Sequence, residues 1–298
     1  MRHNSKLLLS GAFALVVMGG AASVANAAFT ATLNNWNLGT GNTKVQLYNP
    51  SNLLSLTHTD YSNQGGQFNW TQVSPLTPNL LPSANNSFIS FCIQMNQVIG
   101  TGSQTYNPGL WALNEAPQPY VVGGVTYGEM GTLNSNLMAQ LWYNNMTSTY
   151  GGVATAANSA TYDSLHRGAF QIAVWKLAYE RSANPADHLN LAVGNVRASA
   201  INNNLGTDAE LILAQTWLNN LTTASNGAGA TRANLYALSD NNGNVNGNQP
   251  QNSYIQDQVV ATGGSPLEAV PEPASALAWT AMGLVGFVIQ RRNRARRA

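Results

Sequence analysis

An α+β fold is what this sequence predicts, and three features carry the prediction. Apolar and polar residues alternate with period two in the first third of the chain and again near residues 235–238 and 254–260. Between them, apolar residues recur at helical spacing in three segments. Apolar segments at the two ends confine the folded body to residues 28–262. The expectation is a single extracellular domain, a β-sheet or partly closed barrel flanked by helices.

The strands come first. Phe29 to Leu33 and Lys44 to Tyr48 alternate cleanly, and Asn49-Pro50 ends the second. Residues 51–87 are rich in Asn, Ser, Pro and Gly and read as loop, with one short strand near Phe68 and Trp70. From Ser87 to Ile99, Ile89, Phe91, Ile93 and Met95 share one strand face, and Ser90, Cys92, Gln94 and Asn96 share the other. Tyr120 to Tyr127 gives a further strand around Gly123-Gly124. Helices take over at Thr132–Met146, through Leu133, Leu137, Leu141 and Trp142. The strongest helix is Ser164–Glu180, with Asp163 as its cap. Thr207-Asp208-Ala209-Glu210 matches a capping box and opens a third helix. Strand pattern returns at Leu235–Leu238 and Tyr254–Val260, and residues 263–269 form a linker.

Both ends predict export. Residues 1–27 carry Arg2 and Lys6, an apolar run from Leu7 to Met18, and Ala25-Asn26-Ala27, the layout of a cleaved secretory signal peptide. At the other end, Pro271-Glu272-Pro273 precedes an uncharged stretch, residues 274–290, followed by Arg291, Arg292, Arg294, Arg296 and Arg297. As a helix that stretch would cover about 26 Å, enough for a thin hydrocarbon core. The arginines hold the C-terminus in the cytoplasm and leave the body outside.

Charge points the same way. Of 13 basic residues, seven lie in these end segments, so residues 28–270 hold six basic against eleven acidic side chains. A net negative body argues against nucleic acid as a partner. Charged residues make up only 8% of the chain, against roughly 25% in ordinary soluble domains. Asn, Thr, Ser, Gln and Gly solvate the surface instead, which suits an extracellular polysaccharide or matrix. The four histidines, His3, His58, His166 and His188, show no metal-ligand spacing, and neither a metal nor a cofactor is expected.

A Pro-Glu-Pro signature, a short span and a terminal arginine cluster, in that order over residues 270–298, resemble the PEP-CTERM sorting signal. The resemblance implies handling by a membrane protease-transpeptidase of the exosortase type, with the span as a temporary membrane anchor before sorting to the cell surface or matrix.

Two residues in the body carry chemistry. Cys92 is the only cysteine of an exported chain, so it has no disulfide partner within the protein. A lone cysteine is most often a small buried hydrophobe. Gln171 has Val174, Trp175 and Ala178 at i+3, i+4 and i+7, so its amide is aimed along an apolar face and must be bonded there. Satisfying the backbone of a neighbouring segment is the common way to do so.

Phe91-Cys92-Ile93 on a strand and Phe170-Gln171-Ile172-Ala173-Val174-Trp175 on a helix, 79 residues on, resemble the paired motifs of bacterial surface thioester domains. Phe170 stands where that family often has Thr, and Gln94 where it often has an acidic residue. Over about residues 87–180, with the Tyr254–Val260 strand as a candidate extension, the resemblance implies an internal thioester. The Cys92 thiolate would displace ammonia from the Gln171 amide, leaving a single-use electrophile for surface amines or hydroxyls. Phe91, Ile93, Phe170 and Trp175 would keep water out. His166, five residues before Gln171, is a candidate proton acceptor, though a histidine so placed is more often a helix-start surface residue.

Two other classes compete. A passive matrix or glycan-associated protein would hold the same pair merely packed. A Cys–His hydrolase built on Cys92 and His166 would need an orienting Asn or Asp, and Cys92 falls in a strand instead of at a helix N-terminus.

The end segments generate one prediction. Deleting residues 271–298 converts a membrane-bound precursor into soluble protein in the periplasm or medium, read by fractionation and immunoblotting. Retention of the truncated body in the membrane fraction would contradict this topology.

Overall fold

The computed structural model describes residues 30–38, 43–61, 66–74, 87–95, 105–106, 109–117, 120–122, 124–147, 163–201, 208–239 and 257–261. The signal segment 1–27, the linker 263–269 and the sorting tail 270–298, with its 274–290 span, lie outside the described residues. No described helix is long and apolar enough to cross a membrane.

The architecture is α+β with antiparallel sheets. The large sheet holds seven strands in the order β6 (Thr105–Tyr106), β1 (Thr30–Leu38), β4 (Gly66–Ser74), β5 (Ser87–Cys92), β12 (Gln258–Ala261), β11 (Leu235–Ser239) and β7 (Gly109–Ala112). Its outer strands β6 and β7 do not pair with one another, so the sheet stays open and does not close into a barrel. A three-stranded sheet runs β10 (Val196–Ala200), β2 (Thr43–Asn49), β3 (Asn52–Tyr61).

Two stretches correct the reading of the sequence. Residues 51–87, expected as mostly loop, contain β3 and a β4 of nine residues. β4 was hidden because it buries polar side chains as well as Phe68 and Trp70, and β3 because Leu53, Leu54 and Leu56 at its start are exposed. Gln67 donates from Nε2 to Asn69 Oδ1 at 3.0 Å, and both are buried. Tyr120 to Tyr127 is a hairpin, not one strand: β8 (Tyr120–Val122) and β9 (Val125–Tyr127) turn through Gly124 at φ +78°.

The three helices form where helical spacing places them. α1 is Gly131–Trp142 and continues into a π-turn, Tyr143–Thr147. α2 is Ser164–Tyr179, capped by Asp163, whose side chain accepts from the His166 N–H. α3 is Ala209–Asn219. Its cap falls on Asp208, one residue after the Thr207 of the capping-box reading. Asp208 Oδ1 accepts from the N–H groups of Glu210 and Leu211, while Oδ2 takes the Thr43 hydroxyl at 2.5 Å.

α2 is the centre of the molecule. It packs against β1, β4 and β5 of the large sheet, β10 of the small one, and α1 and α3. Every residue from Gly168 to Tyr179 is buried. A helix walled on every side has no wet face on which to place polar groups. Lys176 is therefore fully buried, with Nζ donating to Glu180 Oε2 at 2.5 Å and to the carbonyls of Val193 and Val196 at 2.8 Å. Those three acceptors use all three of its protons. Glu180 in turn accepts from the backbone N–H groups of Arg181, Ser182, Asn195 and Val196. Burial pushes the Lys176 pKa down, and the Glu180 carboxylate opposes that shift.

Removing one partner of such a pair strands the other charge. Lys176→Met should cost about 3–5 kcal/mol in urea unfolding, and Lys176→Met with Glu180→Leu should recover most of it. A single variant as stable as wild type would show the pair contributes nothing.

Candidate functional site

The geometry around Cys92 follows from where strand pairing stops. β5 lies between β4 and β12. Ile93 donates its N–H to the Asp257 carbonyl at 2.8 Å, so the peptide groups of that strand parity face β12. By alternation, the N–H and C=O of Cys92 face the β4 side. There the ladder ends at the Gln67–Phe91 partners, one residue short of Cys92.

Gln171 fills the vacant place. The Cys92 N–H donates to Gln171 Oε1 at 3.1 Å, and Gln171 Nε2 donates to the Cys92 carbonyl at 2.6 Å. One side-chain amide thus imitates the next residue of a neighbouring strand. Gln171 is fully buried and its bonds join α2 to the large sheet. The sequence reading brought Cys92 and Gln171 together, and they do meet. They meet through the backbone of Cys92.

The side chain of Cys92 has a different neighbour. Cys92 and Gln258 are register partners across β5 and β12. Because the adjacent Ile93–Asp257 pair carries the hydrogen bond, Cys92–Gln258 is a non-hydrogen-bonded pair, the kind whose side chains lie closer, with Cα atoms about 4.5 Å apart. Gln258 Oε1 accepts from the Ser90 hydroxyl at 2.9 Å, and Ser90 Oγ accepts from Trp70 Nε1 at 2.7 Å. Ser90 is two residues before Cys92, so all of these side chains share one sheet face. Trp70, Ser90, Cys92 and Gln258 are each buried to within 1%. The thiol donates to the Gln94 carbonyl at 2.8 Å. Tyr179, from the last turn of α2, accepts from the Met95 N–H, and burial pushes its hydroxyl pKa well up.

The opposite face is dry. Phe91 lies 4.5 Å from Phe170 and 5.9 Å from Trp142 between ring centroids, and Phe170 also meets Trp217 at 6.1 Å. Ile93 and Trp175 are buried as well. The expected wall residues are therefore all in the core.

His166 stands apart from them. Its Nδ1 is 2.7 Å from Asp163 Oδ1, its side chain is 43% exposed, and it lies at the open start of α2. The two hydrogen bonds from His166 hold the Asp163 carboxyl below its usual pKa range. This is the helix-start surface arrangement, five residues before Gln171 and about 7.5 Å along the axis. No group of three metal-ligating side chains occurs among the described residues.

No family model matches the chain, and neither curated proteins nor solved structures show a match.

Gln258 is the residue the sequence reading missed. It sits in the Tyr254–Val260 segment, read as a returning strand at the margin of the thioester-domain resemblance, with no role given to its glutamine. Ser90 and Gln258 are 168 residues apart, and no local pattern fixes which strands pair over that distance.

The role of Gln171 in holding Cys92 is testable by itself. Gln171→Leu keeps the bulk and removes the two buried bonds to the Cys92 N–H and C=O, at about 1–3 kcal/mol for each. Urea unfolding should show a loss in that range or above. Unchanged stability would mean that the two bonds contribute nothing net.

Proposed function

We propose that this is an exported protein, sorted to the cell surface or matrix by its C-terminal signal, that attaches covalently to a partner through an internal thioester on Cys92. The amide best placed to supply the acyl group is Gln258. One observation carries this reading: Gln258 is the non-hydrogen-bonded cross-strand partner of Cys92, on the face where the thiol stands.

The chemistry needs a thiol, a carbonyl carbon and exclusion of water. The sulfur would attack Cδ of Gln258, the C–N bond would break, and the thiol proton would leave on the amide nitrogen as ammonia. A primary amine on a partner would then attack the same carbon, release the sulfur and return a proton to it. The step is used once, so no turnover is implied. Gln171 would act as the clamp that fixes the Cys92 backbone.

A second reading keeps Gln171 as the acyl donor. It is favoured by the direct bonds between its amide and Cys92. Against it, that amide is engaged beside the strand in the hydrogen-bonding direction, while the Cys92 side chain stands roughly perpendicular to the sheet.

Intact mass spectrometry of the exported body separates the readings. The thioester predicts a mass lower than the sequence mass by one ammonia, abolished by Cys92→Ala. After methylamine treatment, peptide mapping should find the modified amide at Gln258; modification at Gln171 would select the second reading. A body of full sequence mass, with its thiol titratable on denaturation, leaves only a passive packed cluster.

A further inference from the structure

We infer that Ser90 activates the Gln258 carbonyl, with Trp70 as the residue that positions Ser90. The inference rests on the thioester reading with Gln258 as acyl donor, and it assigns a role to two residues outside the Cys–Gln pair.

Donor and acceptor bookkeeping fixes the direction of the chain. An indole N–H only donates, so the 2.7 Å contact from Trp70 Nε1 makes Ser90 Oγ an acceptor. The one hydroxyl proton is then placed on Gln258 Oε1, 2.9 Å away. Reversing the Gln258 amide would leave that buried proton facing N–H groups. The oxygen of Gln258 is therefore the end held by Ser90. Linked hydrogen bonds polarise one another, so the indole strengthens the hydroxyl as a donor. Trp70 is itself held flat on Phe88, with centroids 5.9 Å apart and planes 7° from parallel.

A donor on that oxygen acts where charge develops. When sulfur adds to Cδ, the carbonyl oxygen becomes an oxyanion, and a fixed donor in a water-free site stabilises it without reorganising. The same donor faces the thioester oxygen when an amine arrives, so Ser90 would serve both the forming and the opening of the bond. A buried hydroxyl with a purely structural role would contribute to stability and leave the carbonyl electronically unchanged.

The full mature chain carries the test, as wild type, Ser90→Ala and Trp70→Phe. Ser90→Ala removes one oxygen; Trp70→Phe keeps a ring on Phe88 and removes the indole donor. Two quantities are read: the rate of methylamine opening by intact mass, and the infrared stretch of the thioester carbonyl carrying a carbon-13 label from glutamine. Folded Ser90→Ala should be recovered unbonded, or open about 100-fold more slowly with its carbonyl stretch moved to higher wavenumber. Trp70→Phe should shift both readouts in the same direction by less, and it carries the test if Ser90→Ala does not fold. A bonded wild type whose variants keep its opening rate and carbonyl stretch overturns the role of Ser90 alone. A wild type that never loses ammonia overturns the thioester reading and this inference together.

Discussion

The burial of α2 on every side is the constraint from which the rest of the structure follows. A helix so enclosed can carry a polar side chain only where a partner waits inside the protein. α2 carries three such side chains in its buried stretch, Gln171, Lys176 and Tyr179, of which Gln171 and Lys176 tie the helix to different sheets. Lys176 reaches the Val193 and Val196 carbonyls and Glu180, fixing β10 and the loop before it. Gln171 reaches Cys92, fixing the end of β5. The helix is thus registered at two points along its length, about a turn and a half apart. Apolar packing alone sets such a register less sharply, because sliding one apolar surface over another costs less than breaking a buried hydrogen bond.

The Gln171 clamp also decides what Cys92 can do. In a continuous sheet, the backbone of Cys92 would be held by the next residue of β4. Here the β4–β5 ladder ends at Gln67–Phe91, although β4 itself begins at Gly66, and a side chain takes the place of that next residue, so Gln171 joins helix and sheet at the residue that bears the thiol. With the peptide groups held at both ends, the thiol donates to the Gln94 carbonyl at 2.8 Å. It stands on the face where Ser90 and Gln258 are already linked. The site is thus assembled from α2, β4, β5 and β12, and it exists only in the complete fold.

The alternation of Ile89, Phe91 and Ile93, the helical spacing around Phe170 and Trp175, and the cap at Asp163 were legible in the sequence, because each is set by residues within one or two turns or strands. The aim of Gln171 into an apolar surface was legible for the same reason. Three things were not. β4 was hidden by polar side chains that pair inside the sheet, as Gln67 does with Asn69, and β3 by a first half whose side chains, Leu53, Leu54 and Leu56 included, are exposed and so show no buried face. The Lys176–Glu180 pair reads as an ordinary surface i,i+4 pair until α2 is known to be buried all round. Gln258 became a neighbour of Cys92 only through long-range strand order, which local propensity does not encode.

Burial sets opposing demands on a reactive bond at Cys92. A thioester survives only where water is excluded, and the thiol is 1% exposed. The exclusion that protects the bond also excludes an amine. The α2 face of the sheet gives no entry, since Phe91, Phe170, Trp142 and Trp217 fill it in mutual ring contact. Approach along the strand edge is closed by the Gln171 amide. The face shared by Cys92, Ser90 and Gln258 is no more open, since all three residues are buried to within 1%. Under the thioester proposal, an amine would therefore reach the carbonyl carbon only if that packing yields. Strand alternation sets which packing must yield, because it places the thiol on the face opposite the aromatic core.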